Sequence, residues 1–221
     1  MQKITKKQSN SQLIQIGFLL ILFGIFLCSY QFIQKKKLHI FDKMGQKLYY
    51  QKEEVVNKTK DEITAVPNVE EKNNAEKKED ITNNISTSEY IGILEIPKIG
   101  LKRGFVDPNS IHNNVEENIT ILNPVSMPDE KNGNFILAAH SGTGTIAYFD
   151  KLYQLEIHDK IYVEYQNKVY TYEIVNIYQQ PKTGTIKVYR DSKKSTMTLI
   201  TCTNGNNKEQ TVYIANQIKV E

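Results

Sequence analysis

Polar and apolar positions along this 221-residue chain fall into four patterns, and each predicts a different kind of segment. Residues 1–12 are polar and carry Lys3, Lys6 and Lys7. Residues 13–33 are apolar and uncharged, interrupted only by polar positions such as Gln15, Ser29 and Gln31. A helix needs about 20 apolar residues to cross a bilayer, so this run predicts a transmembrane segment. A cleaved signal peptide is the alternative, but its apolar core spans only about 7–15 residues. No small-x-small cleavage pattern follows residue 33, which favours an uncleaved signal-anchor. Residues 34–87 are rich in Lys, Glu, Asn and Thr and bury too little apolar surface to offset their ordering entropy. They predict a flexible stalk, with helical pattern around residues 41–56.

From residue 88 to residue 221 the pattern turns to short alternating runs. Strands are predicted over residues 90–96, 134–139, 160–165, 168–178, 186–189, 196–202 and 211–220. Gln166-Asn167 between two of these runs reads as a hairpin turn. Helical pattern is confined to short pieces near residues 110–117 and 146–153. Seven or eight short strands with brief helical insertions predict an all-β domain, a closed barrel or sandwich.

Charge changes this picture little. The net charge of +3 is too mild to argue for nucleic acid, and the basic excess suits membrane flanks and solvated surface. The lysines at 3, 6 and 7 are nearly balanced by Lys35, Lys36 and Lys37 across the apolar run, so charge alone does not orient it. With 13 Tyr, 8 Phe and no Trp, the composition fits an aromatic-rich β domain. No Cys-x-x-Cys pair or His/Cys cluster occurs, so a structural zinc site is not expected.

Of the two cysteines, Cys28 lies in the apolar run, which leaves Cys202 without an obvious disulfide partner in its own domain. Cys202 closes Thr198-Leu199-Ile200-Thr201-Cys202, a β-branched strand pattern followed at once by a polar loop. A lone thiol there is either inert filling or a nucleophile. A nucleophilic thiolate needs a proton-transfer partner, usually histidine. Of His39, His112, His140 and His158, only His140 ends an apolar strand run, Phe135-Ile136-Leu137-Ala138-Ala139, and opens a loop with Ser141-Gly142.

Ala138-Ala139-His140-Ser141-Gly142 together with Thr198-Leu199-Ile200-Thr201-Cys202 resembles the signature of the sortases, cysteine transpeptidases of Gram-positive cell surfaces. The resemblance extends to Gly92-Ile93-Leu94-Glu95-Ile96-Pro97-Lys98-Ile99 and to Tyr148-Phe149-Asp150-Lys151-Leu152. It implies a closed eight-stranded barrel over residues 88–221, outside the membrane, with the N-terminus inside. It implies cleavage of a Leu-Pro-x-Thr-Gly-like sorting signal near the C-terminus of a secreted protein. Cys202 would form a thioester at the Thr carbonyl, His140 would serve as general acid and then base, and a cell-wall precursor amine would resolve it. No cofactor is implied, and modulation by calcium is left open.

Sortases carry an arginine on the strand after the cysteine, and counting back from Ala215 sets Gln210 at that place. The only arginines are Arg103 and Arg190. Three alternatives follow: Arg190 supplies the charge from another direction, Gln210 serves in a reduced role, or the chain is an inactive relative. The first predicts that Arg190→Ala lowers transpeptidation far more than Arg103→Ala. Pro181-Lys182-Thr183-Gly184 reads as a turn. The short connection between residues 178 and 186 carries no helical insertion, and Asp107-Pro108-Asn109 lies inside the barrel region instead of in an N-terminal lid. These features resemble a class A or D enzyme more than class B or the pilin-polymerising class C. A thiol hydrolase of the same fold and an inactive peptide-binding barrel are the competing functions.

Overall fold

The computed structural model describes residues 4–62 and 89–221; the remainder of the expected stalk, residues 63–87, lies outside the described residues. Helix α1 spans Ile4–Glu62, an interval without proline. The chain divides into two compact units, Met1–Phe41 and Asp42–Glu221.

In the first unit α1 carries the apolar run, whose described side chains, such as Leu13, Phe18, Leu20 and Phe26, stand exposed. Among the described residues no helix is long and apolar enough to cross a membrane.

Among its described residues the second unit holds eight strands: β1 (Tyr90–Ile96), β2 (Leu101–Val106), β3 (Thr120–Ile121), β4 (Asn134–Ala138), β5 (Lys160–Tyr165), β6 (Lys168–Pro181), β7 (Thr196–Thr203) and β8 (Asn206–Val220). They form one sheet in the order β2-β1-β5-β6-β8-β7-β4-β3. The edge strands β2 and β3 approach each other but are not paired, so the expected closed barrel is nearly closed. All neighbours are antiparallel except β4 and β7. Gln166 and Asn167 at the β5–β6 turn have φ of 50° and 60°, the left-handed values of a tight hairpin whose twist matches its strands.

Inward-facing side chains alternate along the strands and fill the core: Leu94, Ile96, Phe105, Phe135, Leu137, Ile161, Val163, Tyr172, Met197, Leu199 and Tyr213. A second cluster sits on the opposite face of the β4–β7–β8 region. It comprises Ile136, Ile200, Val212 and Ile214, with Leu122, Ala138, Tyr178, Ile186 and Val188 packed against them.

Several local expectations differ from the structure. Strand β2 escaped the sequence pattern because Lys102-Arg103-Gly104 interrupts its alternation, yet Arg103 is buried there. Residues 186–189 are not a strand. Their apolar side chains cover the second cluster while side chains satisfy their backbone: Gln180 Oε1 accepts from Lys187 N (3.0 Å), and Tyr178 OH bonds Lys187 O (2.7 Å) and Tyr189 N (3.0 Å). Residues 110–117 form turns instead of a helix, because Asn side chains replace helical bonds; Asn113 donates to Pro108 O and Ile121 O and accepts from Ile121 N. Residues 146–153 are likewise mainly turns, with a 3-10 helix only at Leu152–Gln154 and another earlier at Pro97–Ile99.

The segment expected as stalk is helical through Glu62, and from Asp42 onward it packs with the barrel. Asp42 and Tyr49 are buried. Asp42 Oδ1 pairs with Arg103 Nη1 at 3.2 Å and accepts from Tyr90 OH at 3.1 Å, while Gln46 Nε2 bonds Asp42 Oδ2 (2.9 Å) and Lys102 O (3.1 Å). Two glycines make room for the Tyr90 ring. A Cβ at Gly45 would stand 2.7 Å from Tyr90 Cε2, and one at Gly104 only 1.9 Å from Tyr90 Cδ2.

Candidate active site

Parallel strands β4 and β7 run side by side and end at the same rim. Their register pairs Ile136 with Thr198 and Ala138 with Ile200. Continued by two residues, that register sets His140 beside Cys202. Side-chain bonds fasten the two strand ends together: Thr201 Oγ1 donates to Ala139 O (2.9 Å), and Ser141 Oγ donates to Cys202 O (3.0 Å). The buried Thr203–Thr211 hydroxyl pair, 3.0 Å apart, ties the same end of β7 to β8.

Cys202 also pairs across the sheet with Gln210 of β8, and Gln210 pairs with Gln180 of β6. Directly paired residues project on one face of a sheet. Gln180, Gln210, Cys202 and His140 therefore form one row, on the face that carries Ile136, Ile200 and Val212. The next row on that face, Tyr178, Val212, Ile200 and Ala138, is apolar.

Among the described residues Cys202 is the free cysteine, and it is half-buried. It opens on a cavity of about 720 Å³ lined by Ser141, Gly142, Thr203, the β7–β8 turn at Asn204 and Gly205, and the first residues of β8 from Asn206 to Lys208. Gly142 and Gly205 have φ of 106° and 74°, values that let both loops turn away and leave the thiol reachable. His140 Nε2 lies 3.1 Å from Glu116 Oε1 on the turn-rich segment before β3. That contact leaves Nδ1 for other partners and holds the ring at the rim.

Arg190 is not brought to this place. Its Nη1 donates to Asn132 O (3.2 Å), Lys194 O (3.2 Å), Asp191 O (3.4 Å) and Thr196 Oγ1 (3.4 Å) at the start of β7. Thr196 and Cys202 are separated by most of the strand, roughly 20 Å at the usual rise per residue. Arg103 is no substitute, since it is consumed by Asp42, by Asn118 Oδ1 at 3.1 Å and by the Tyr148 ring at 4.0 Å. The group in contact with the thiol is one that sequence reasoning passed over as part of a turn: Lys182 Nζ lies 2.9 Å from Cys202 Sγ. Nothing in the linear pattern marks it, because the contact spans strands β6, β8 and β7. Glu116 was missed for the same reason.

Comparisons with known proteins bear on the barrel that carries this site. The Sortase domain family matches residues 94–218, more than half of the chain. Among solved structures, a sortase D5 transpeptidase of Clostridium perfringens is 28% identical, with 59% of this chain and 80% of that chain covered and a TM-score of 0.51. Streptococcus pneumoniae sortase C is 23% identical over 59% of this chain and 70% of that chain, with a TM-score of 0.53. Listeria monocytogenes sortase A is 20% identical over 60% of this chain and 89% of that one, with a TM-score of 0.51. At these last two identities the likeness concerns the fold. A search of curated proteins finds no match.

Proposed function

This chain belongs to the sortase family, whose members are cysteine transpeptidases, and from that premise we propose the reaction it performs and the residues that carry it. It cleaves a Leu-Pro-x-Thr-Gly-like sorting signal between Thr and Gly and transfers the secreted protein to a cell-wall precursor amine. The observation that supports this most directly is the shared rim of β4 and β7, where Cys202 and His140 continue one register beside an open cavity.

The chemistry follows from the two groups. The Cys202 thiol gives its proton to the His140 imidazole, and the sulfur lone pair forms a bond to the Thr carbonyl carbon while the carbonyl π pair moves onto oxygen. Collapse of that intermediate expels the glycine amine, which takes the proton from the imidazolium and leaves a thioester on Cys202. The acceptor amine then attacks the same carbon and gives up a proton to His140, and the sulfur departs. Gln210, paired with Cys202, offers an amide N–H to the developing oxyanion.

The apolar run of residues 13–33, read from the sequence and longer than the stretch of side chains the structure describes, anchors the enzyme in the membrane, with the barrel outside. In water a continuous exposed surface of Leu, Ile and Phe would be costly, whereas lipid covers it. Anchoring also confines enzyme, sorted protein and lipid-linked acceptor to one surface, which raises their effective concentration.

The test uses the full chain in detergent with a quenched Leu-Pro-x-Thr-Gly peptide, with and without a glycine-based amine. An acyl adduct on Cys202 by mass spectrometry and turnover that depends on the amine are expected. Equal turnover without amine would make the chain a hydrolase, and binding without an adduct would make it an inactive relative.

A further inference from the structure

We propose that Lys182 supplies the positive charge that the arginine of other sortases provides, as a cationic partner of the Cys202 sulfur delivered from β6 instead of β8. The inference rests on the proposed cysteine chemistry and names a residue for it. Three observations carry it. First, the position across from Cys202 on β8 is the neutral Gln210, and both arginines are held elsewhere by the contacts described above. Second, Lys182 Nζ stands 2.9 Å from Sγ. Third, its backbone is fixed for that reach. Gln180 and Pro181 pair with Gln210 and Glu209, and Lys182 N donates to Lys208 O at 3.0 Å. Lys182 is thus held two residues beyond Gln180, on the face that carries the thiol.

The charged groups around the sulfur are consistent with this role. His140 stands on the β4 side, with Glu116 bonded to it. Lys208 lines the cavity from the start of β8. Glu209 faces away from the row and accepts from Asn206 Nδ2 at 3.0 Å. An ammonium beside a thiol favours its thiolate. Lysine is a point charge on a flexible stem, so unlike an arginine fork it can follow the sulfur or turn toward the oxyanion, but it grips no oxygen in a bidentate manner. Lys182 is therefore a cation for sulfur first, with Gln210 left to the carbonyl oxygen.

The experiment measures iodoacetamide alkylation of Cys202 in the full chain against pH, read at that residue by peptide mass spectrometry, for wild type, Lys182→Gln, Lys182→Arg and Lys182→Gln/Gln210→Arg. Lys182→Gln is expected to slow alkylation of Cys202 near neutrality about tenfold. Lys182→Arg should keep the wild-type rate, and adding Gln210→Arg should bring it back. A Lys182→Gln profile that overlays wild type, in a protein with unchanged circular dichroism, overturns the inference. So does a slowing that neither arginine reverses. The profile needs no substrate. Loss of the Lys182 effect with an intact acyl adduct therefore refutes this inference alone, whereas absence of the adduct refutes the transpeptidase proposal alone.

Discussion

Replacing Arg103 by Met should destabilise the barrel unit without touching the thiol. The guanidinium is buried, with only 9% of its side chain exposed against 11% for Asp42, and the two are 3.2 Å apart. Methionine fills most of the same volume, so the loss is electrostatic. Asp42 keeps its bonds from Tyr90 and Gln46 but loses its cation, and Asn118 Oδ1 loses a donor. Removing one partner of a buried pair costs about 3–5 kcal/mol. The retained bonds to Asp42, and an Arg103 Nε that has no partner in the native state, put the expectation at the low end, about 3 kcal/mol. For a unit of this size each kcal/mol lowers Tm by about 2–4 °C, so a fall of about 6–12 °C is expected. The assay is thermal unfolding of the full chain by circular dichroism, run as a cycle with Asp42→Asn and the double variant. The double variant should recover stability relative to the sum of the singles, with a coupling of at least about 1 kcal/mol. Additive losses below about 0.5 kcal/mol each would refute the docking of α1 from Asp42 onward on the barrel.

Three further outcomes follow. Arg190→Ala should leave transpeptidation of the peptide within about twofold of wild type, because its guanidinium serves carbonyls at the far end of β7; a loss beyond about tenfold in kcat/KM would contradict that placement. Gly104→Ala should unfold or markedly loosen the barrel, since the added Cβ would overlap the Tyr90 ring at 1.9 Å, and a circular dichroism melt within about 2 °C of wild type would show the ring moves freely. Alkaline pH should also destabilise the fold. Burial pushes the phenols of Tyr90 and Tyr172 well above the usual range and that of Tyr213 up to about 12. Raised values in the folded state mean that stability is full below the unfolded tyrosine value, about pH 10, and is lost as pH rises toward the folded values. Tyrosinate absorbance should show these phenols ionising only with unfolding; a single smooth titration near pH 10 of all 13 tyrosines, with structure intact, would refute it.

Period-two alternation and loop-starting residues made most strands legible from the chain alone, along with the rim positions of His140 and Cys202, because both depend on neighbours in sequence. A strand it left out and one it wrongly added illustrate the limit. β2 is interrupted by Arg103, whose burial only makes sense beside Asp42, a residue distant in sequence. Residues 186–189 alternate like a strand, but their bonds go to Tyr178 and Gln180 side chains.

The charge at the site belongs wholly to the tertiary structure. Chain order suggested Arg190, which leads into the strand that ends in the thiol, but an extended strand carries its two ends roughly 20 Å apart. Sheet order then places β8 between β6 and β7, so the end of β6 reaches the thiol and Lys182 meets Cys202. Sequence by itself determines which residues can alternate, turn and react. Pairing of strands distant along the chain decides which of those residues share a face, because hydrogen-bonded register, unlike periodicity, is a property of two segments at once.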